Sequence, residues 1–119
     1  MDFAETPELA LVRDSIRRIA GEFGYRYWAE KARGGGKPDE LWRAVGQAGF
    51  IGANLPETFG GGGLGIPATA IVCEELAAAG CPLLLLVVSP SICGTILARF
   101  GTEAQQREWL PGIASGERK

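Results

Sequence analysis

Histidine is missing from this chain of 119 residues. With it go the commonest metal ligand and the commonest general base. Cysteine is nearly as scarce: Cys73, Cys81 and Cys93 stand far apart, with no CxxC pair. An odd, sparse set in apolar surroundings reads as reduced core thiols of a cytoplasmic protein. Thiol catalysis is disfavoured by the same shortage, since no imidazole exists to activate any of the three. Lysine and arginine are absent between Phe50 and Ala98, and over the whole chain 12 basic residues face 14 acidic ones. A nucleic-acid binder needs a basic face, and none is visible. No apolar run reaches the roughly 20 residues that span a bilayer. The richest, Cys81 to Leu97, is interrupted by Pro82, Ser89, Pro90, Ser91 and Thr95. Nor does a positively charged leader precede an apolar stretch, which argues against a secretory signal.

Glycine is abundant, with 18 residues falling in runs (Gly34 to Gly36, Gly60 to Gly63) and not at a fixed period. These runs mark loops between periodic segments. Thr6-Pro7-Glu8 reads as a helix start, with a capping hydroxyl, a first-turn proline and an acid near the positive end. Leu9, Val12, Ile16, Ile19 and Phe23 then share one face, and the helix is expected to continue to about Ala32. A second helix starts at Pro38-Asp39-Glu40, presents Leu41, Trp42, Val45 and Ala48, and stops at Gly49. After an irregular segment from Phe50 to Pro56 and the glycine run, a third begins near Pro67 and carries Ile71, Val72, Leu76 and Ala79 up to Gly80. Pro82 opens a fourth, Leu83 to about Arg99, apolar almost all round and expected to kink at Pro90. The block Leu83 to Val88 also fits a buried strand, but its length and its flanks favour helix. Thr102-Glu103-Ala104-Gln105 is a capping box for a fifth helix with Trp109 and Leu110, expected to stop at Pro111. The fold class is therefore all-α, about five helices in an orthogonal or up-down arrangement, forming one domain over residues 1–119.

Signals for chemistry are few. Gly60-x-Gly62-x-x-Gly65 has the spacing of a dinucleotide fingerprint, but that motif needs a strand before it and an acid about 20 residues later. Neither is present, and a flexible inter-helix turn is the better reading. Gly36-Lys37-Pro38 lacks the remainder of a phosphate loop. Glu74 and Glu75 are adjacent, so they diverge by some 100° on a helix and cannot act as a facing pair; one exposed carboxylate and one making a local hydrogen bond or salt bridge are expected. Glu57 reads as a loop or capping carboxylate. Core packing is expected for Trp42, Trp109 and all three cysteines. No catalytic, cofactor-binding or metal-binding residue is assigned.

Several segments in register resemble the acyl-CoA dehydrogenase family. Ala48-Gly49-Phe50-Ile51-Gly52, followed by Leu55-Pro56-Glu57 and Phe59-Gly60-Gly61, is similar to the family's "GFxGxxxPExxGGxG" stretch. Glu74-Glu75-Leu76-Ala77 resembles its "EELA". Gly101-Thr102-Glu103-Ala104-Gln105, then Leu110-Pro111 and Ile113-Ala114-Ser115-Gly116-Glu117, resembles its "GTExQ…LPxxxSGE" run. Order and spacing over nearly the whole chain make the set specific. The resemblance implies an N-terminal helical domain that precedes a middle β domain and a C-terminal four-helix bundle. It implies FAD between domains, α,β-dehydrogenation of an acyl-CoA thioester with a C-terminal carboxylate as base, an electron-transferring flavoprotein as reoxidant, and a homo- or hetero-oligomer. The family's flavin-contacting Thr-Glu-Pro segment is expected beyond Lys119, so the chain by itself is expected to be inactive and to bind no FAD. It is also expected to self-associate through its fourth helix. In the family that helix lines the acyl pocket, and Leu85, Val88 and Ile92 match the lining positions; plain core is the competing reading. An acyl-CoA oxidase, a flavin monooxygenase of the same fold, or a non-catalytic helical subunit paired with a complete partner are the alternatives.

Overall fold

The computed structural model describes residues 2–119, and all regular structure among them is helical. Helix α1 spans Pro7–Arg33, and the Thr6 hydroxyl caps it by accepting from the Leu9 amide at 3.2 Å. The uninterrupted helix expected from the sequence is broken at Gly24, whose φ of 69° and ψ of −175° are non-helical. Glycine adopts that conformation without the penalty a Cβ would bring. The break aims Tyr25 at Gly80, where an added Cβ would lie only 2.7 Å from the tyrosine's own Cβ. Beyond it, the Trp28 indole donates to the Pro82 carbonyl at 3.1 Å.

Helices α2 (Asp39–Gln47) and α3 (Ile66–Ala78) end as their glycines foretell. Gly49 and Gly80 take positive φ. The amides of Gly49 and Phe50 reach back to Gly46 and Val45, and those of Gly80 and Cys81 to Ala77 and Leu76. Both closures are Schellman motifs, which satisfy carbonyls the helix leaves over. A 3₁₀ turn, Glu57–Phe59, precedes the glycine loop. The apolar stretch after Pro82 contains no strand; it becomes a π-helical segment, Val87–Gly94, running directly into α4, Thr95–Phe100.

Helix α5 spans Glu103–Ser115 behind its capping box, with the Gln105 amide donating to the Thr102 hydroxyl and the Thr102 amide to the Gln105 side chain. It does not stop at Pro111. An interior proline costs about 3 kcal/mol, while burying a leucine or isoleucine side chain returns about 1.5–3 kcal/mol each. Leu110 and Ile113, on either side of Pro111, are both buried. Pro111 itself lies on the exposed side of the helix, as does Arg107, whose carbonyl loses its amide partner. Core anchoring therefore carries the helix past the proline.

The main core joins Val12, Ile16 and Ala20 of α1 to Leu41, Trp42 and Val45 of α2 and to Ile71, Val72 and Leu76 of α3. A smaller cluster sets Leu55 against Leu110, Ile113 and Ala114. Trp42 is a core anchor as expected, and its buried indole N–H donates to the Gly116 carbonyl at 2.8 Å. Trp109 is not: it is 41% exposed, one position off the buried face, with the Arg118 guanidinium 4.4 Å over its ring. The molecule measures 42 × 38 × 22 Å. Its short axis is about two helix diameters.

Charge ties α1 to α3 through Glu75, which is buried. The Arg17 guanidinium donates to both Glu75 oxygens at 3.0 Å, and Arg13 Nη1 donates to Oε1 at 2.5 Å. Arg13 also pairs with Glu5 and with the exposed Glu74. Thus Glu74 is exposed and Glu75 buried, as expected of the pair, but both find their partners on another helix and not locally. The guanidinium of Arg17, then that of Arg13, holds the Glu75 carboxyl below its ordinary range. A carboxylate depressed in the folded state contributes stability that is complete above its unfolded value, about 4.3 for glutamate, and is lost as pH falls through the folded one. Glu75→Gln should lower the melting temperature at pH 7, and the gap to wild type should narrow as pH falls below about 4. Thermal denaturation followed by circular dichroism across pH 3 to 7 checks this; a gap independent of pH would show that the charge contributes nothing.

Candidate functional site

The π-helical segment owes its shape to one missing hydrogen. In an α-helix the Leu86 carbonyl would accept from the residue four positions on, which is Pro90, and proline has no amide N–H. The Ser91 hydroxyl takes that role, donating to the Leu86 carbonyl at 2.8 Å. The expected kink at Pro90 is thus realised as a widened turn, in which Pro90 and Gly94 are buried. Asn54, from the irregular loop before the glycine run, holds this turn from outside. Its Nδ2 donates to the Pro90 carbonyl at 3.1 Å and to Thr95 Oγ1 at 3.2 Å.

Opposite that buried edge runs a row of uncovered apolar side chains. Leu84, Val88, Ile92, Ile96 and Phe100, four residues apart, are 76, 44, 50, 54 and 81% exposed. Val88 and Ile92, two of the three expected pocket residues, lie side by side in this row. Leu85 lies apart from them, half-buried against the main core. It borders a cavity of about 400 Å³ whose wall includes Trp42, Pro82 and Leu84, with Lys37, Asp39 and Lys119 at the rim. Leu84, Ile96 and Phe100 extend the row beyond the expected residues, and their four-residue repeat is legible in the sequence. Asn54 carries no such signal, since the segment around it has no periodicity.

The other candidates resolve against chemistry. Four successive amides of the glycine loop, Gly61 to Leu64, donate at 2.9–3.0 Å to the carbonyls of Pro56, Gly52, Leu55 and Ala53. They are spent inside the chain, and no strand feeds the loop, so it offers no cradle to a pyrophosphate. The loop is pinned by these bonds, contrary to the flexible turn expected. Cys81 is buried, but Cys73 is only half-buried and Cys93 is exposed, which corrects the expectation that all three sit in the core. Cys93 reaches the surface because it neighbours Ile92 on the uncovered side of the π segment. Burial raises the thiols of Cys73 and Cys81, keeping both protonated and poorly nucleophilic. Among the described residues no group of three or more carboxylates or thiols is placed to hold a metal, and no helix is long and apolar enough to cross a membrane.

Gly61 is the tightest point of the loop, since an added Cβ would sit 2.2 Å from the Leu55 carbonyl oxygen. Gly61→Ala should cost about 1–3 kcal/mol of stability through overpacking, read by urea denaturation. An unchanged midpoint would show that the loop gives way freely.

Four likenesses to known proteins bear on this arrangement. The family model described as the acyl-CoA dehydrogenase N-terminal domain matches residues 6–117. The chain is 48% identical over 114 residues to the acyl-CoA dehydrogenase FadE12 of Mycobacterium tuberculosis, covering 96% of this chain and 29% of that protein. It superposes on an acyl-CoA dehydrogenase from Geobacillus kaustophilus with a TM-score of 0.86 at 25% identity, over 98% of this chain and 31% of that one. It is also similar to a chain of the ChsE4–ChsE5 complex from Mycobacterium tuberculosis, with a TM-score of 0.70 at 27% identity, over 100% of this chain and 30% of that one. In each case it spans less than a third of the relative's length.

Proposed function

Because the chain belongs to the acyl-CoA dehydrogenase family, as its N-terminal domain, we propose that it walls one side of an acyl-thioester site in an enzyme that dehydrogenates acyl-CoA between Cα and Cβ. The observation that carries this reading is the row from Leu84 to Phe100, large apolar side chains left uncovered along one helix face. Substrate pockets are mostly apolar with few polar anchors, and a hydrocarbon chain laid along Val88 and Ile92 would leave water. Each buried methylene is worth about 0.8 kcal/mol, or roughly a fourfold gain in affinity. Leu85, just before the segment, faces instead the separate cavity beside Trp42 and backs the wall from the core side.

FAD is the cofactor of this reading, and when bound it accepts the hydride that leaves the β carbon. None of this chain's residues is assigned to it, since the amides of the glycine loop are already engaged. The acyl-CoA thioester is the substrate and an electron-transferring flavoprotein the reoxidant. Assembly as a homo- or hetero-oligomer is supported by the likeness to a chain of the two-component ChsE4–ChsE5 complex. A cytoplasmic location is supported by three unpaired cysteines.

In the full-length enzyme, Val88→Trp or Ile92→Trp should raise KM for long acyl-CoA thioesters about tenfold while short ones change little. Steady-state assays across a chain-length series check it. Equal effects at every length would remove these two residues from the wall.

A further inference from the structure

The widened turn does not hold itself. Pro90 at its centre brings no amide N–H, and the Ser91 hydroxyl donates to the Leu86 carbonyl at 2.8 Å. The grip comes from Asn54, whose carboxamide touches three parts of the fold at once. Its Nδ2 donates to the Pro90 carbonyl at 3.1 Å and to Thr95 Oγ1 at 3.2 Å, while its Oδ1 accepts from the Thr69 hydroxyl of α3 at 3.2 Å. The orientation of the amide is forced, because the Pro90 oxygen can only accept and so must face the NH₂ group. Thr69 is buried, which fixes the third contact to the core. The neighbouring residue presses on the same turn: a Cβ on Gly94 would lie 2.8 Å from Leu55 Cδ2.

Resting on the reading that Val88 and Ile92 face the acyl chain, we propose that Asn54 is a positioning residue that sets chain-length preference by locking the π-turn. Its two Nδ2 contacts bracket residues 90 to 95, the stretch that carries Ile92 and joins Val88 to Ile96 and Phe100. A turn relaxing from five-residue to four-residue closure rotates the helix before it against the helix after it. Without the lock, Leu84 and Val88 swing away from the line of Ile96 and Phe100, and the continuous wall is broken. Asn54 itself touches no substrate; it acts through the backbone carbonyl of Pro90.

The test compares KM and kcat for short and long acyl-CoA thioesters in the full-length enzyme. Asn54→Asp removes the amide donor but keeps an oxygen for Thr69. It should change the long-to-short KM ratio about tenfold, whatever common change in kcat accompanies it. Thr95→Val should shift the ratio in the same direction but less, and Thr95→Ser, which keeps the hydroxyl, should restore it. If Asn54→Asp fails to fold, the Thr95 pair decides. An effect on stability alone would alter all chain lengths equally, and an unchanged ratio in both Asn54→Asp and Thr95→Val overturns the positioning role. Should Val88→Trp shift the ratio while those two do not, the wall stands and the lock falls. Should Val88→Trp leave it unchanged as well, the wall reading falls and the lock with it.

Discussion

Pro90 brings no amide hydrogen to the middle of the most apolar segment, and much of the exposed face is arranged around that lack. The Leu86 carbonyl is met by the Ser91 hydroxyl, the turn widens, and the Pro90 carbonyl is taken by a side chain from outside the helix. An apolar helix that closed its own ladder would need no partner from the loop before α3. Here the loop, α3 and the π segment are joined through one carboxamide, and the row from Leu84 to Phe100 stays on the side that none of them covers.

The rest of the fold gives that junction something firm to pull against. Glu75 binds α1 to α3 with two guanidinium groups, and the main core fills the space between those helices. Trp42 fastens α2 to the end of α5 through the Gly116 carbonyl. The glycine loop is folded onto residues 52–56 by four backbone hydrogen bonds, so the segment that presents Asn54 is braced from behind. A slab two helices thick can support such a junction on one side only. The opposite side is left for whatever binds there, which is where the proposed acyl wall and the uncovered row coincide.

Periodicity, caps and glycine stops were enough to place the five helices, while the family was read from the resemblance of motifs in and between them. Thr6, the Thr102–Gln105 box, Gly49 and Gly80 act where their chemistry says they should, because each works through hydrogen bonds to residues a few positions away. Errors arose where a distant partner outweighed a local rule. Gly24 breaks α1 to seat Tyr25 against Gly80; Leu110 and Ile113 carry α5 through Pro111; and Trp109 yields the buried face to Leu110.

The candidate site divides in the same way. That the segment after Pro82 is helical, apolar and in need of cover was determined by residue order alone, because hydrophobic pattern and proline act within a turn or two. Which of its side chains face outward was decided by tertiary structure, since the turn widened at Pro90 rephases them and the Pro90 carbonyl is held by Asn54, 36 residues upstream. Leu85 packs toward the core while Val88 and Ile92 stay exposed, a division that no four-residue window contains. A hydrogen bond between residues far apart in the chain leaves no trace in local spacing, so only the folded molecule could reveal it.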